Sequence, residues 1–300
     1  MDDAVTRRIS TTPLPSPPPG KRGWPWSESP SLDVSTQAEP GRWPRISVIT
    51  PSYNQAAFLE MTLRSVLLQG YPNLEYIVID GGSTDGSVVL LEKYAPWLTS
   101  WVSEPDEGQS QAINKGLRRA TGEILCWLNS DDYYLPGTLA TVGRLLAREK
   151  AEAGPRAVIG HIRKVYVDGR PPIELEGCYE GRKRLLQFWR GYQMHQPAIF
   201  WDREVSEEIG WLNEGLHLTM DFDYWVRMSQ VTTFLNVDRV LAVCHYHAAA
   251  KTGDDYAAYH RALERTAWRY WGPPHRRLFW ELAVSMAREV WWRRWRRGGR

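Results

Sequence analysis

"GEILCWLNSDDYYLPGTL", residues 122–139, decides how the rest of this chain is read. An apolar run from Ile124 to Leu128 drops abruptly into Asn129, Ser130, Asp131 and Asp132. A short apolar run bounded by turn formers reads as a buried strand. Two adjacent carboxylates at its end repel each other and are costly unless something neutralises them. A hard divalent ion, Mg2+ or Mn2+, suits carboxylate oxygens and leaves positions for phosphate oxygens. A solvated turn, or an N-cap for a helix beginning near Pro136, is the alternative that the pair alone leaves open.

The residues upstream alternate between strand and helix patterns. "RISVITP" (45–51) is a β-branched run ending at a proline, and "AAFLEMTLRSVLLQG" (56–70) has helical apolar spacing closed by a glycine. "NLEYIVIDGGSTDGS" (73–87) is a second strand entering a Gly-rich turn. Then come a helix in "SVVLLEKYA", a strand in "LTSWVSE", a helix in "GQSQAINKGLRRATG" and the strand of the opening stretch, "EILCWLNSDD". This alternation predicts a mainly parallel sheet flanked by helices, with ligands beyond the carboxyl ends of its strands. Every strand ends in polar residues: Ser52-Tyr53-Asn54, Asp80 to Ser83, Glu104-Pro105-Asp106 and Asn129 to Asp132. Four such ends along one edge predict a cleft. Beyond residue 150 the alternation weakens. Two extended segments are expected around Asp168-Gly169, helices near 182–190, 202–210 and 219–230, strands at 232–238 and 240–246, and helices at 255–271 and 275–297.

Composition sets the outer limits. The chain has 300 residues, 43% apolar and 24% charged, as expected for a globular protein with a sizeable core. Its formal charge of +2 is unevenly spread: residues 261–300 hold eleven Arg against three Glu. A basic end on an acidic body argues against general nucleic-acid binding and suggests an anionic surface as partner. The cysteines at 126, 178 and 244 show neither disulfide nor zinc spacing, which points to a reducing, cytoplasmic setting. No apolar run is long enough to span a membrane, and the first residues lack the apolar core of a signal peptide. Residues 1–44 hold nine of the twenty prolines and read as a disordered or extended leader, onto which Trp24, Trp26 and Trp43 either dock or do not.

The cleft residues carry their own chemistry. "DGGSTDGS" offers small residues and backbone N–H groups for close approach to a nucleotide, and Asp80 can accept hydrogen bonds from a base or ribose. An ordinary Gly-rich turn is the alternative. Tyr53 serves either as a flat wall against a base or as a core aromatic. Neither a Walker pattern nor GxGxxG is present.

Together, "ISVITPSYNQAAFLEMTLRSVLLQGYPNLEYIVIDGGSTDGS", "DEGQSQAINKGLRRATGEILCWLNSDDYYLPGTL" and "MDFDYWVRM" resemble the family-2 glycosyltransferases of the GT-A fold, over roughly residues 45–250. The resemblance implies a Rossmann-like nucleotide-diphospho-sugar transferase with a mixed, mainly parallel sheet. Residues 45–135 would form its nucleotide-binding half and 136–250 its acceptor half. It implies an inverting transfer from a nucleotide sugar, with UDP expected, and a divalent metal. Pro51, Tyr53 and Asn54 would line the nucleotide pocket, Asp80 would hold base or ribose, and Ser83 and Asp85 would shape the turn. Asp106 and Lys115 would flank the nucleotide and diphosphate. Asn129-Ser130-Asp131 takes the family's Asp-x-Asp position, with Asp131 as metal ligand. Its first Asp is Asn129 here, which can still bond a ribose hydroxyl of the nucleotide but brings no charge, a lack that Asp132 would make up as a further metal ligand; the Asp that often follows Asp80 is Gly81.

Inverting transfer needs one carboxylate to take the acceptor's proton, which contributes about 10²–10⁴-fold. "HLTMDFDYWVRM" (217–228) supplies two. On a helix Asp223 and Arg227 are four apart and pair, whereas Asp221 shares a face with Tyr224, Trp225 and Met228. Position in the family pattern also selects Asp221 as base, although Met220 stands where many relatives have Glu. In "CHYHAAAKT" (244–252) the resemblance places His247 near the metal, and Lys251 would neutralise phosphate. "MHQPAIFW" (194–201) resembles the acceptor-side segment, with His195 and Gln196 touching the acceptor. Trp201 or Trp211 would stack on a sugar, with core packing as the alternative. The tail "RRLFWELAVSMAREVWWRRWRRGGR" (276–300) lines up Val284, Ala287, Trp291 and Trp295, with Arg288, Arg293, Arg294, Arg296 and Arg297 crowding its end. Tryptophan with arginine suits the headgroup layer of an anionic membrane. The expectation is therefore a peripheral protein at the cytoplasmic membrane face, with a saccharide or lipid-linked acceptor of polysaccharide or glycolipid synthesis. A non-catalytic GT-A-like module that binds nucleotide sugar or membrane is the rival of another class. A sugar-nucleotide pyrophosphorylase would want a Gly-rich basic loop at 45–56, which is absent.

Overall fold

The computed structural model describes residues 13–27, 43–154, 156–191, 194–247, 256–273 and 276–298. In chain order these form β1 (Ile46–Ser52), α1 (Ala56–Leu67), β2 (Leu74–Asp80), α2 (Ser87–Tyr94), β3 (Ser100–Ser103), α3 (Gln109–Arg119) and β4 (Ile124–Trp127). There follow β5 (Tyr133–Tyr134), α4 (Thr138–Ala153), β6 (Ala157–Tyr166), β7 (Ile173–Leu175), α5 (Arg182–Leu185) and β8 (Ile199–Asp202). The last elements are α6 (Arg203–Ile209), α7 (Met220–Val231), β9 (Phe234–Tyr246), α8 (Tyr256–Trp271) and α9 (Arg277–Gly298).

The strands form one sheet in the order β3-β2-β1-β4-β8-β6-β9-β5, with β7 paired to β6. β3, β2, β1 and β4 are parallel, as the alternation requires. Every residue of β1 is buried, which is why its pattern is continuous rather than alternating. β8 then enters antiparallel between β4 and β6. β5 follows β4 within a few residues, yet it pairs with β9 at the far edge of the sheet. Four strand spacings of about 4.8 Å separate the two along the sheet. The connection folds into a turn, with Asp132 N–H donating to Asn129 O at 3.1 Å. So short a link closes the gap only because the sheet curls, bringing its far edge over the end of β4.

Two expectations differ from the structure. The strands expected at 232–238 and 240–246 are one long strand, β9, whose irregular pairing around Gly160 to Ile162 absorbs the break. Of the leader, residues 13–27 are docked rather than disordered. The buried Arg64 guanidinium donates to the carbonyls of Pro15, Pro25 and Trp26 at 2.7, 3.0 and 3.1 Å, and Trp24 Nε1 donates to Tyr134 O at 2.7 Å. A buried charge needs acceptors, and a proline-rich strand has free carbonyls to give. Among the described residues no helix is long and apolar enough to cross a membrane.

Three tryptophans hold the centre. Trp127 on β4 stacks on Trp225 of α7 with centres 5.2 Å apart and planes at 9°. Trp201 on β8 meets both edge-on, at 5.7 and 5.8 Å. Trp201 is wholly buried and its indole N–H donates to Ser206 Oγ, so it is core, and Trp211 also packs on the core. Arg64→Met should strip the leader's acceptors of their donor. It should lower stability by about 2–3 kcal/mol in urea unfolding followed by tryptophan fluorescence, and an unchanged midpoint would contradict the docking.

Candidate active site

A cleft of 1560 Å³ opens beyond the carboxyl ends of β1, β2 and β4 and is closed on the other side by β6, β9 and α7. Pro51, Tyr53, Asp106, Asn129, Asp131 and Asp132 line one wall. His195, Gln196 and Asp221 line the other. Tyr53 is 62% exposed at the mouth, a wall rather than a core aromatic. Beside it a Cβ on Gly81 would lie 2.6 Å from Asp106 Oδ2 and 3.3 Å from the Tyr53 ring. The slot between that tyrosine and Asp106 therefore exists because residue 81 has no side chain.

The polar strand ends divide into those that face the cleft and those that hold the turns. Asp80 is fully buried, and its carboxylate accepts from the Gly82 and Ser83 amides and from the Ser83 and Ser103 hydroxyls at 2.5–3.1 Å. Its oxygens are used within the protein. Asn54 sits at φ 52°, a conformation asparagine tolerates. It receives Thr84 N–H on its side-chain oxygen, and Ser83 Oγ accepts its own N–H. Asp85 accepts from Ala56 N–H, Ser87 N–H and the Ser87 hydroxyl; slight burial raises its pKa, but these bonds hold it below the ordinary value. Asp80, Asn54, Ser83 and Asp85 thus brace the turns beneath the cleft instead of lining it. Lys115 pairs with Glu104 at 2.9 Å, which draws it away from the cleft.

The two adjacent carboxylates part ways. Asp132 turns inward, where Oδ1 accepts His245 N–H at 3.2 Å and Asn129 Nδ2 reaches Oδ2 at 3.5 Å. Burial, and then the Asp131 charge, push its pKa well above the usual carboxylate range. Asp131 faces His247, whose Nε2 lies 3.1 Å from Oδ2, while the His245 ring bonds the Asp131 carbonyl at 2.7 Å. Phe58 stacks on the His247 ring at 4.7 Å and fixes its plane. Among the described residues no three His, Cys, Asp or Glu side chains converge as a closed metal cage. One carboxylate and one imidazole at the edge of the cleft do fit an ion that completes its shell with phosphate and water. Asn129 Oδ1 accepts a hydrogen bond from Gln109 Nε2 at 2.8 Å. Lys251 lies outside the described residues.

On the opposite wall α7 separates its two acids as helical spacing requires. Asp223 accepts from Arg227 Nε at 3.0 Å and from Tyr270 OH at 2.5 Å, and is buried. Asp221, in the first turn, faces the cleft, and its Oδ1 accepts Phe222 N–H at 2.7 Å. The Gln196 amide donates to Trp127 O at 2.6 Å, which leaves Oε1 buried without a partner in the cleft wall. Residues not expected from the sequence also line the cleft: Gln109, His217, Lys164, Tyr166, Arg170 and Tyr246. The period-two spacing of Lys164 with Tyr166 and of Cys244 with Tyr246 was the available signal.

Known proteins match this architecture. Residues 47–210 match the model of Glycosyl transferase family 2. An uncharacterised glycosyltransferase of Mycobacterium tuberculosis is 44% identical over 206 residues, covering 66% of this chain and 74% of that protein. Two solved structures show the same fold. Staphylococcus aureus TarS 1–349 in complex with UDP-GlcNAc has a TM-score of 0.56 and 19% identity, covering 77% of this chain and 68% of that one. A mannosyltransferase from Pyrobaculum calidifontis, in complex with GDP-Man and Mn2+, has a TM-score of 0.58 and 21% identity, covering 83% and 71%.

Burial holds His195 neutral, pushing its pKa down to about 4, with Lys164 and His161 nearby adding to the effect. An unfolded histidine binds its proton near pH 6.5, so between 6.5 and 4 the unfolded chain holds more protons than the folded one. The contribution of His195 to stability should fall as pH drops through that window, against the opposite trend of Asp202, whose carboxyl pKa burial pushes up to about 6. His195→Gln should flatten this part of the curve in chemical unfolding series, and an unaltered slope would contradict the assignment.

Proposed function

This chain is a glycosyltransferase of glycosyl transferase family 2, and from the geometry of its cleft we propose an inverting, metal-assisted transfer from a UDP-sugar to a saccharide or lipid-linked acceptor. The observation that carries the reading is the sorting of carboxylates. Asp223 is consumed by Arg227 and Tyr270, while Asp221, on α7, lines the same cleft as Asp131 at the end of β4. The nucleotide base enters the slot between Tyr53 and Asp106, which the bare Gly81 keeps open. The diphosphate lies toward Asp131 and His247. Those two residues would hold a divalent ion, Mg2+ or Mn2+, which when bound supplies positive charge to the departing diphosphate.

In the transfer, Asp221 takes the proton of the acceptor hydroxyl. The freed oxygen attacks the anomeric carbon, and the bond from that carbon to the diphosphate oxygen breaks on the opposite face. The diphosphate leaves with the electron pair, and the sugar's configuration inverts. Gln196 Oε1, held in place through its own amide, accepts a hydroxyl of a sugar in the cleft, and His195 stays a neutral neighbour. The base alone contributes about 10²–10⁴-fold. Asp221→Asn should reduce transfer by at least about 10²-fold while UDP still binds in the presence of Mn2+. Asp131→Ala should lose the Mn2+-dependent part of UDP binding in the same calorimetric assay. Retained turnover in the first variant would remove the base, and metal-independent UDP binding in both the wild type and Asp131→Ala would remove the metal.

The acceptor is proposed to lie at a membrane of the cytoplasmic side, in polysaccharide or glycolipid synthesis. Leu282 of α9 is buried against the domain, while Trp280 and Val284 on α9 and Trp268 on α8 are exposed. The side chains of Trp291 and Trp295, and of the arginines beyond Arg288, lie outside the described residues. Each basic residue near an anionic surface adds about 1 kcal/mol, and exposed tryptophans suit the headgroup layer. Trp268→Ser with Trp280→Ser should lower co-sedimentation with phosphatidylglycerol vesicles severalfold and leave the low binding to phosphatidylcholine as it is. Equal sedimentation would defeat the membrane assignment.

A further inference from the structure

β6 and β9 run parallel, with Lys164 opposite Cys244 and Tyr166 opposite Tyr246. All four side chains line the cleft. The Lys164 ammonium lies 4.0 Å from the Tyr246 ring centre and 5.3 Å from that of Tyr166. From the turn between β6 and β7, the Arg170 guanidinium sits 4.0 Å from the Tyr166 centre and 5.6 Å from that of Tyr246. The two rings cross at 61° with centres 5.6 Å apart. Two cations thus share one aromatic pair. Arg170 is paired with Asp168 at 2.8 Å. Lys164 has no carboxylate within ion-pair reach among the described residues, and its neighbours are Arg170, the neutral His195 and the thiol of Cys244.

This arrangement stands apart from the expected diphosphate position. Tyr246, at the end of β9, sits between His245 and His247, and successive strand side chains point to opposite faces, so its ring lies on the other side of the strand from the two histidines that meet Asp131. Two cations held against a cleft, of which only Arg170 is paired with a carboxylate, favour an anion. Crossed tyrosines offer apolar faces to the C–H side of a sugar ring.

Resting on the glycosyltransferase reading above, we propose that Lys164, Arg170, Tyr166 and Tyr246 form an acceptor subsite for a phosphorylated saccharide. The two cations take the phosphate oxygens and the tyrosine rings take the sugar. The acceptor is then anionic close to the sugar that is extended. Its phosphate comes either from a lipid-linked sugar or from within a saccharide chain.

Calorimetry on the full chain tests this. The protein is first saturated with UDP and Mn2+, which blocks the donor side, and is then titrated with glucose 1-phosphate, its decyl phosphodiester or glucose. Glucose 1-phosphate is expected to bind and glucose to give no measurable heat. Lys164→Gln should weaken phosphate binding by about tenfold, as loss of one charge-assisted bond implies, and Lys164→Arg should restore it. Arg170→Gln should weaken it in the same direction. Tighter binding of the decyl ester assigns a lipid-linked source, and equal binding assigns a phosphate within a saccharide; both support the subsite. No binding to the UDP-loaded protein, or unchanged affinity in Lys164→Gln, overturns it. If UDP itself fails to bind, the donor reading fails separately, and the same titration of the free protein still decides the subsite.

Discussion

The structure turns on how one negative charge is kept out of a place built for two carboxylates. Asp131 and Asp132 follow each other at the tip of β4. The curled sheet brings β9 alongside them and gives each a different environment. Asp132 is drawn into the interior by the His245 amide, where burial favours its protonated form. Asp131 lies at the cleft edge beside His247. The hydroxyl of Thr62 on α1 lies 2.9 and 2.7 Å from the carbonyls of Ser130 and Asp132, so the same turn is pinned from beneath. One acid therefore joins the two edges of the curl while its neighbour faces the cleft.

The opposite wall depends on packing rather than charge. α7 is seated by Trp225, sandwiched against Trp127 and Trp201 and wholly buried. Such aromatic pairs contribute about 0.5–1.5 kcal/mol each beyond the area they bury. With α7 anchored there, helical geometry places Asp221 at the cleft and turns Asp223 toward Arg227 and Tyr270. The carbonyl of Trp127 also orients Gln196. A single cluster thus aims both the carboxylate and the amide of that wall.

Much of this was legible in the residues. Continuous apolar runs with polar ends specify β1 to β4, and four-residue spacing separates Asp223 from Asp221. What the residues did not show has physical causes. A polar residue at a strand end can hold its own turn or a ligand, and sequence does not say which; Asp80 and Asn54 hold turns. β5 is two tyrosines long and exists only because β9 arrives from more than a hundred residues away. The 13–27 segment has no hydrophobic period, yet its carbonyls answer a buried guanidinium far along the chain. Lys164 and Arg170 were hidden because a polar strand facing a cleft resembles a polar strand facing water.

The sheet runs unbroken from β3 to β5, so both walls of the cleft hang from one continuous set of hydrogen-bonded strands. Enzymes that close by hinge or shear bring separate packed bodies together around a substrate. Among the described residues no such seam runs between the two walls of the cleft. Adjustment to different sugars must therefore come from the rim: the turn before Arg170, the entrance at Tyr53 and the start of α7. The spacing between the two reacting partners, by contrast, is set once, when the chain folds.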